Sequence, residues 1–276
     1  MKFDSPNPNI AWCPGCGNHL ILKALKQALE ELNFTPQNTV LVSGIGQAAK
    51  LPQYINANYF NGLHGRAIPV ATGIKAANKE LNVILISGDG DIYGEGGNHF
   101  IHAIRKNTDI TVMVCDNMVY GLTKGQASPT SSADFKTKMQ PYGVKDAPFN
   151  PISTAIAGDI AFVGRAFCQD IEQTKELMKQ AILHKGFSLL DIFQPCVTFN
   201  KINTFPWFRE NTYYLEGEFD RLHAFEKSIR LDKLPLGVFY KTDKPTFEED
   251  LPSPLYKNDL NKEKVQKLIQ SYIIYP

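Results

Sequence analysis

The sequence predicts an α/β fold in which helices cover both faces of a parallel sheet, followed by an extended C-terminal tail. Three observations support this fold class. Short apolar runs alternate along the chain with segments of helical periodicity. These runs are apolar throughout, as in strands that are buried on both faces of a sheet. From residue 201 onward this pattern gives way to aromatic residues, prolines and charges.

The predicted elements alternate in a regular order. Residues 18–32 carry apolar side chains at helical spacing, with Asn18 as a candidate N-cap, and residues 39–43 form a buried strand. The remaining elements are helices at 69–78, 98–107 and 170–185, strands at 82–87, 110–115, 161–164 and 187–193, and a short helix near the end of the tail. We therefore predict an α/β domain over residues 1–200. A C-terminal extension over residues 201–276 is expected to pack on this domain or on a partner subunit.

Composition and charge exclude several classes of protein. The 276-residue chain has 29 lysines and arginines against 28 aspartates and glutamates, which leaves no general attraction for nucleic acid or an anionic membrane. The longest apolar runs are far shorter than the roughly 20 residues that span a bilayer, and the N-terminal residues have no apolar core of a signal peptide. Five cysteines, an odd number, argue against a disulfide framework. We expect a cytoplasmic protein without a nucleic-acid or membrane partner.

An acidic glycine loop provides the clearest chemical signal. Gly88, Asp89 and Gly90 follow one buried strand, and Asn117 follows the next, so both sites should lie at the carboxyl edge of the sheet, where ligands bind. An aspartate there would repel a phosphate unless a cation lay between them. The Asp89 carboxylate, the Asn117 amide oxygen and the Val119 carbonyl would offer the oxygen ligands that Mg²⁺ prefers. The alternative is that this loop is only a turn and Asn117 only a cap.

This spacing resembles the thiamine-diphosphate motif, in which GDG is followed some thirty residues later by N. Seven segments have a recognisable pattern: WCPGCGN (residues 12–18), VSGIG (42–46), KLPQY (50–54), LHGRAIPVATGIKAAN (63–78), GDGDIYGEGGNHFIHAIRKN (88–107), VYGLTKGQASPTS (119–131) and QPCVTFN (194–200). Through these segments the chain resembles the beta subunit of the 2-oxoacid:ferredoxin oxidoreductases from about residue 5 to about residue 255.

The resemblance implies a thiamine-diphosphate-binding fold and a defined set of cofactor residues. The Mg²⁺ ligands would be Asp89, Asn117 and the main chain of Val119. The cofactor contacts would be Ile45, Gly46, Gln47, Ala48, His64, Gly88, Gly90, Asp91, Gly121 and Leu122. Taken alone, His64 could equally be a capping or core histidine.

The resemblance also implies an activity and its partners. The enzyme would oxidatively decarboxylate a 2-oxoacid to acyl-CoA and CO₂, and would pass electrons through an iron–sulfur cluster to ferredoxin. The glutamate that activates thiamine is expected on an alpha, or fused alpha/gamma, subunit. We therefore assign no catalytic residue within this chain and expect it to be inactive alone. Glu95 is interpreted as a solvated carboxylate or one that complements a helix dipole.

The pattern of cysteines allows more than one interpretation of their role. Cys13 and Cys16 form a CxxC pair that by itself fits a zinc knuckle or a redox motif. The resemblance implies a [4Fe–4S] cluster on Cys13, Cys16 and Cys196, but its fourth ligand position is Gln47. The cluster could be held by three thiolates and another ligand, be labile, or be absent. The alternatives are a non-redox thiamine-dependent decarboxylase subunit without a cluster and a non-catalytic, zinc-bound assembly module.

Overall fold

A computed structural model describes residues 2–6, 8–230 and 232–251, together with positions 263, 266, 267 and 270. Its centre is an eight-stranded sheet with the strand order β2-β1-β3-β4-β6-β5-β8-β7. The first six strands are mutually parallel, as predicted. The strands are β1 (Thr39–Ser43), β2 (Asn58–Asn61), β3 (Asn82–Gly88), β4 (Thr111–Asp116), β5 (Phe162–Phe167), β6 (Ser188–Phe193), β7 (Thr212–Tyr214) and β8 (Leu234–Lys241).

Helices connect these strands and cover both faces of the sheet. They are α1 (Asn18–Glu31), α2 (Ala67–Ala77), α3 (Gly97–Lys106), α4 (Pro151–Ala157), α5 (Ile171–Leu183), α6 (Phe205–Asn211) and α7 (Arg221–Ser228). Short 3₁₀ segments at Pro36–Asn38 and Ala48–Tyr54 precede β1 and follow it, and one π-helical turn, Gly90–Glu95, leads into α3. Among the described residues, no helix has the length and apolar character needed to cross a membrane.

Alternating strand residues supply the two hydrophobic layers. In β3, Ile84 and Ile86 join the layer that contains α1 and α5. Val83 and Leu85 join the opposite layer, with α2, α3, α4 and α7. Because side chains point alternately to the two faces of a strand, an uninterrupted apolar run is what a strand covered on both faces requires. The fold class predicted from the sequence is confirmed.

The C-terminal region differs from the extended tail that was predicted. It contributes to the hydrophobic core and forms α6, α7, β7 and β8. Strand β8 joins the sheet antiparallel to β5, with a register shift at Val163 and Gly164. The edge of β5 would otherwise leave backbone groups unpaired, and β8 satisfies them. Of the short helix predicted near the chain's end, only Glu263, Gln266, Lys267 and Gln270 lie within the described residues, and these four are helical.

An ion pair fixes the turn before β4. Asp109 accepts a hydrogen bond from the Gly186 backbone N–H (3.1 Å) and pairs with Lys75 (2.8 Å) and Lys185 (3.3 Å). Burial alone would raise the pKa of Asp109, but the hydrogen bond and charge of Lys75 hold this pKa below its ordinary value. The charged form is therefore favoured in the folded state.

Replacing Asp109 by asparagine should make the unfolding free energy less dependent on pH in the acidic range. A carboxylate with a lowered pKa stabilises the fold above its unfolded pKa, near 3.9, and this contribution disappears as the pH falls through its folded pKa. We expect D109N to lose about 1–2 kcal/mol of unfolding free energy at neutral pH. Urea titrations at neutral pH and below about pH 3 should show this difference shrinking with acid. A difference that stays constant across this range would contradict the ion-pair account.

Candidate cofactor and cysteine sites

Four neighbouring strands bring their carboxyl ends to one edge of the sheet. Strands β1, β3, β4 and β6 are adjacent, and the loops that follow them converge there. One cleft at this edge contains every residue predicted to bind the cofactor or Mg²⁺. Its lining is Ile45, Gly46, Gln47, Ala48, His64, Gly88, Asp89, Gly90, Asp91, Glu95, Asn117, Val119, Tyr120, Gly121, Leu122 and Thr123.

The two proposed metal side chains follow neighbouring strand ends. Gly88 is paired with Cys115 across β3 and β4, so the register brings the start of the Asp89 loop beside the end of β4. Asn117 Oδ1 accepts a hydrogen bond from the Val119 N–H (3.1 Å) in a tight turn, and this oxygen keeps a second lone pair. Asp89 is 2 % exposed. Oxygen donors of this kind, one of them a buried carboxylate, fit Mg²⁺ as the cofactor assignment requires.

Thr130 lies between two buried carboxylates. Its Oγ1 is 2.7 Å from Asp89 Oδ2 and 2.7 Å from Asp116 Oδ1. One hydroxyl proton can serve only one of these contacts, so the other carboxyl must donate. Burial, followed by the charges of Asp191 and Asp89, raises the pKa of Asp116 well above its ordinary value. We infer that Asp116 is the neutral acid that donates to Thr130, and that Thr130 donates to an ionised Asp89.

Asp91 ties three parts of the cleft together. Its Oδ1 accepts from the backbone N–H groups of Ile45 (3.1 Å) and Gly65 (2.8 Å), and its Oδ2 accepts from Ser87 Oγ (2.8 Å). Burial raises the pKa of Asp91 above its ordinary value, while these hydrogen bonds favour the carboxylate. The sequence predicted a cofactor contact here. The structure places the residue in the cleft with its carboxylate occupied in positioning the loops after β1 and before α2.

Replacing Asp91 by alanine and by asparagine should separate positioning from direct charge. Alanine leaves the Ile45 and Gly65 N–H groups without their acceptor, at about 1–3 kcal/mol for each donor that stays buried. We expect D91A to weaken thiamine diphosphate binding roughly 10–100-fold. D91N keeps an oxygen for both N–H groups and should stay within a few-fold of the native affinity. Calorimetric affinities that fall equally in both variants would indicate that the cofactor or its metal needs the charge itself.

Tyr120 is a cleft residue that the sequence analysis missed. Its ring packs on the π-helical turn, and its hydroxyl donates to the Gly90 carbonyl (3.2 Å). A Cβ at Gly90 would lie 2.2 Å from the Tyr120 ring, so only glycine fits this approach. Burial raises the pKa of Tyr120 to about 12, which keeps it protonated as a donor. Thus Gly90 allows the ring of Tyr120 to support the acidic loop.

His64 and Glu95 meet at the mouth of the cleft. His64 Nδ1 lies 2.7 Å from Glu95 Oε2, and His64 is too exposed, with 62 % of its side chain accessible, to be a core histidine. Gly65, at φ +66°, permits this contact because a Cβ there would lie 2.5 Å from the Glu95 backbone. Among the described residues, His64, Asp91 and Glu95 are the one group of histidine, cysteine and acidic side chains close enough to share an ion. The hydrogen bond between His64 and Glu95, and those that Asp91 accepts from the neighbouring loops, already explain why the three side chains lie close together.

Three cysteines line a second cavity beside the cleft. Cys13, Cys16 and Cys196 share it with Gln47, and Gln47, Asn117 and Gly121 border both spaces. All five cysteines are free thiols, and Cys115 and Cys168 are fully buried in the core, as predicted. A tetrahedral zinc ion would hold its sulfurs about 3.8 Å apart. Among the described residues, the three cavity sulfurs are farther apart than such an ion would hold them.

Each cavity thiol accepts a hydrogen bond from the protein. Thr198 Oγ1 donates to Cys13 (3.2 Å), the Phe199 N–H donates to Cys196 (3.4 Å), and Gln194 Nε2 donates to Cys16 (3.5 Å). Burial raises the pKa of Cys16 to about 11. A positive metal centre would favour its thiolate, and the three donors would stabilise that form. This donor set fits an iron–sulfur cluster.

Gln194 connects the two sites and was also missed from the sequence as a functional residue. It is 1 % exposed. Its Oε1 accepts from Asn117 Nδ2 (3.2 Å), and its Nε2 donates to the Cys16 sulfur and to the Pro195 carbonyl (2.9 Å). A single side chain therefore orients one proposed Mg²⁺ ligand and one proposed cluster ligand. The sequence feature that could have identified Gln194 is its position directly after β6, in the QPC segment that also contains Cys196.

Two family models match most of the chain. One family model, thiamine pyrophosphate enzyme, C-terminal TPP binding domain, matches residues 37–192. A second, which represents the C-terminal part of the pyruvate ferredoxin oxidoreductase beta subunit, matches residues 196–254. The first range contains both loops of the proposed metal site, and the second begins at Cys196.

The chain is also similar to curated proteins and to a solved structure. The beta subunit of 2-oxoacid:ferredoxin oxidoreductase 2 from Aeropyrum pernix is 42% identical over 258 residues, which cover 88% of this chain and 84% of the relative. The 2-oxoglutarate oxidoreductase subunit KorB from Mycobacterium tuberculosis is 44% identical over 199 residues, 72% of this chain and 53% of that protein. A solved 2-oxoglutarate:ferredoxin oxidoreductase from Magnetococcus marinus, with 2-oxoglutarate, coenzyme A and succinyl-CoA bound, has a TM-score of 0.90 and 35% identity over 97% of this chain and 96% of that chain.

Proposed function

The chain belongs to the beta subunits of the 2-oxoacid:ferredoxin oxidoreductases, and we propose that its strand-end cleft binds thiamine diphosphate through Mg²⁺ and that its cysteine cavity holds an iron–sulfur cluster. As a thiamine-diphosphate-binding beta subunit, it takes part in the oxidation of a 2-oxoacid and works with an alpha subunit. The observation that carries the proposal is the convergence of every residue assigned to the cofactor or Mg²⁺ in one cleft.

The residues of this chain have separate tasks in that cleft. Asp89, Asn117 and the Val119 carbonyl would hold Mg²⁺, and the glycine-lined loops would receive the diphosphate. Thiamine diphosphate, once bound, supplies the nucleophilic carbon for attack on the keto group and the electron sink for loss of CO₂. Asp91 fixes the loops around it, and the neutral Asp116 leaves the negative charge on Asp89 for the cation. The cofactor contacts assigned to His64, Gly121 and Leu122 complete the proposed site.

The position of the cysteine cavity supports the electron-transfer part of the proposal. The cavity borders the cofactor cleft through Gln47 and Asn117, so a cluster there would lie within a short distance of the reacting centre. Cys13 is exposed, which gives the same cavity a side that faces solvent. We propose that electrons leave by this side to ferredoxin, and that coenzyme A accepts the acyl group.

The partner subunit is needed for catalysis in this proposal. In the described cleft, the carboxylate nearest the mouth is Glu95, and it is occupied by His64. The family resemblance implies that the activating carboxylate for thiamine lies on the alpha subunit, and we propose that this chain is inactive alone. We also propose residues 1–200 as the cofactor domain and the following segment as an extension that supports β5 and contributes to contacts with the partner.

Anaerobic purification of the chain with its alpha subunit tests the function. The complex should reduce a viologen dye only with a 2-oxoacid, coenzyme A, thiamine diphosphate and Mg²⁺ together, and it should contain iron. A screen should begin with 2-oxoglutarate, since two of the relatives described above carry that substrate in their names. Release of CO₂ from the 2-oxoacid without dye reduction or iron would instead support the non-redox decarboxylase.

A further inference from the structure

The cysteine cavity is lined by three thiols and by carboxamide side chains. Gln47 and Asn18 line it together with Cys13, Cys16 and Cys196. Cys115 and Cys168 do not line this cavity, and both are fully buried in the hydrophobic layer beside α1 and α5. Within the described residues, a fourth thiolate is therefore not available without repacking the core.

The two carboxamide oxygens have no partners inside the described part of the protein. Gln47 Oε1 and Asn18 Oδ1 are both buried without a hydrogen bond, and Asn18 is 1 % exposed. A buried oxygen without a partner is unfavourable unless a bound group satisfies it. The backbone of Gln47 is held in place because Trp12 Nε1 donates to its carbonyl (2.8 Å). The cavity is therefore lined by three cysteines and by two carboxamides whose oxygens are satisfied by no described residue.

We infer that this chain binds a [4Fe–4S] cluster through three thiolates, with the fourth iron facing the carboxamides of Gln47 and Asn18 rather than a sulfur ligand. This inference rests on the proposed cluster and specifies its coordination. A carboxamide oxygen is a hard, neutral donor and a weak ligand for cluster iron, compared with a thiolate. The fourth iron is consequently exchangeable, and it can take a small external ligand such as water or a thiol.

The chemical consequence is selective loss of that iron on oxidation. A one-electron oxidant such as ferricyanide removes one electron from the [4Fe–4S]²⁺ cluster, which releases Fe²⁺ and leaves [3Fe–4S]⁺ on Cys13, Cys16 and Cys196. The charges balance in this step. The cluster, with a charge of 2+, gives a three-iron product of charge 1+, an iron ion of charge 2+ and one electron, which the oxidant takes up. A cluster with four thiolates has no iron that is weakly held in this way.

Substitution of Gln47 by cysteine provides the test. The native complex with its alpha subunit and the Q47C variant are reconstituted anaerobically, oxidised with one equivalent of ferricyanide, and measured by iron analysis and low-temperature electron paramagnetic resonance. We expect the native complex to lose about a quarter of its cluster iron and to give a three-iron signal. Q47C, which supplies a thiolate at the fourth corner, should keep its iron and lack that signal. Cys168→Ala serves as the matched control and should behave as the native complex does.

The possible failures are distinguishable. If the native complex keeps all four irons without a three-iron signal, the inference on the fourth corner is overturned while the proposed cluster stands. If Cys168→Ala changes the response to oxidation, Cys168 rather than a carboxamide serves that corner, and the inference is again overturned. If neither the native complex nor Q47C binds iron although both bind thiamine diphosphate, the proposed cluster itself is wrong.

Discussion

Replacing Asp89 by asparagine should lower the affinity for Mg²⁺ and thiamine diphosphate by more than about 100-fold. Substitution of residues that only support the ligands of a metal already lowers metal affinity about 10–100-fold, and Asp89 is a proposed ligand itself. The substitution nearly keeps the size of the side chain and keeps an acceptor for Thr130 (2.7 Å). It removes the negative charge that would bind the cation beside the diphosphate. The effect should therefore come from the metal site and not from unfolding.

Asp116→Asn is the matched control for this experiment. Asp116 contacts the same Thr130 hydroxyl (2.7 Å) and is equally buried, but it does not line the cofactor cleft. Since we infer that Asp116 is a neutral acid, asparagine should replace it with only a few-fold change in affinity. Calorimetry of the complex with its alpha subunit, with and without Mg²⁺, measures both variants. Equal losses in the two, or an unchanged affinity in D89N, would remove Asp89 from the metal site.

Replacing Arg165 by methionine should destabilise the protein by about 3–5 kcal/mol, the cost of breaking a buried ion pair by removing one partner. Arg165 Nε donates to Asp191 Oδ2 (2.9 Å), and the two side chains are 6 % and 0 % exposed. Its guanidinium also lies 4.8 Å from the centre of the Phe193 ring. Without Arg165, Asp191 would be left with only the Tyr93 hydroxyl (3.0 Å), among the described residues, to compensate it.

A second substitution should recover much of this loss. Changing Asp191 to leucine together with R165M removes both charges, and apolar replacements of buried ion pairs are often neutral. Urea unfolding followed by circular dichroism should give a lower midpoint for R165M and an intermediate or native midpoint for the double variant. If R165M alone unfolds at the native midpoint, the ion pair contributes little to stability. Asp191 must then be protonated in the folded variant, because a buried charge without its partner would lower the midpoint.

The sequence was sufficient to predict the core strands and the edge at which the site forms. Runs such as residues 82–87 are apolar throughout, and only burial on both faces explains that composition. Once the strands are known to be parallel, their following loops must meet at one edge, which is why Asp89 and Asn117 could be brought together without coordinates. The family resemblance then supplied the cofactor contacts, and the structure places all of them in one cleft.

Other features could not be predicted because they depend on distant or weakly patterned residues. Strand β2 has four exposed residues at the sheet edge and shows no apolar run, and β8 contains a proline and a glycine, which are atypical of a strand. Thr130, Tyr120 and Gln194 lie at the proposed site only because loops that follow β4 and β6 fold back over the cleft. No local periodicity reports such contacts, and they become visible only when partner atoms are known.

The experimental structure of the complex loaded with Mg²⁺ and thiamine diphosphate tests the central claim most directly. We expect one Mg²⁺ about 2.1 Å from a carboxylate oxygen of Asp89, from Asn117 Oδ1 and from the Val119 carbonyl oxygen, with diphosphate oxygens completing its shell. A metal ion bound elsewhere, or a diphosphate bound without contact to Asp89 and Asn117, would contradict the account.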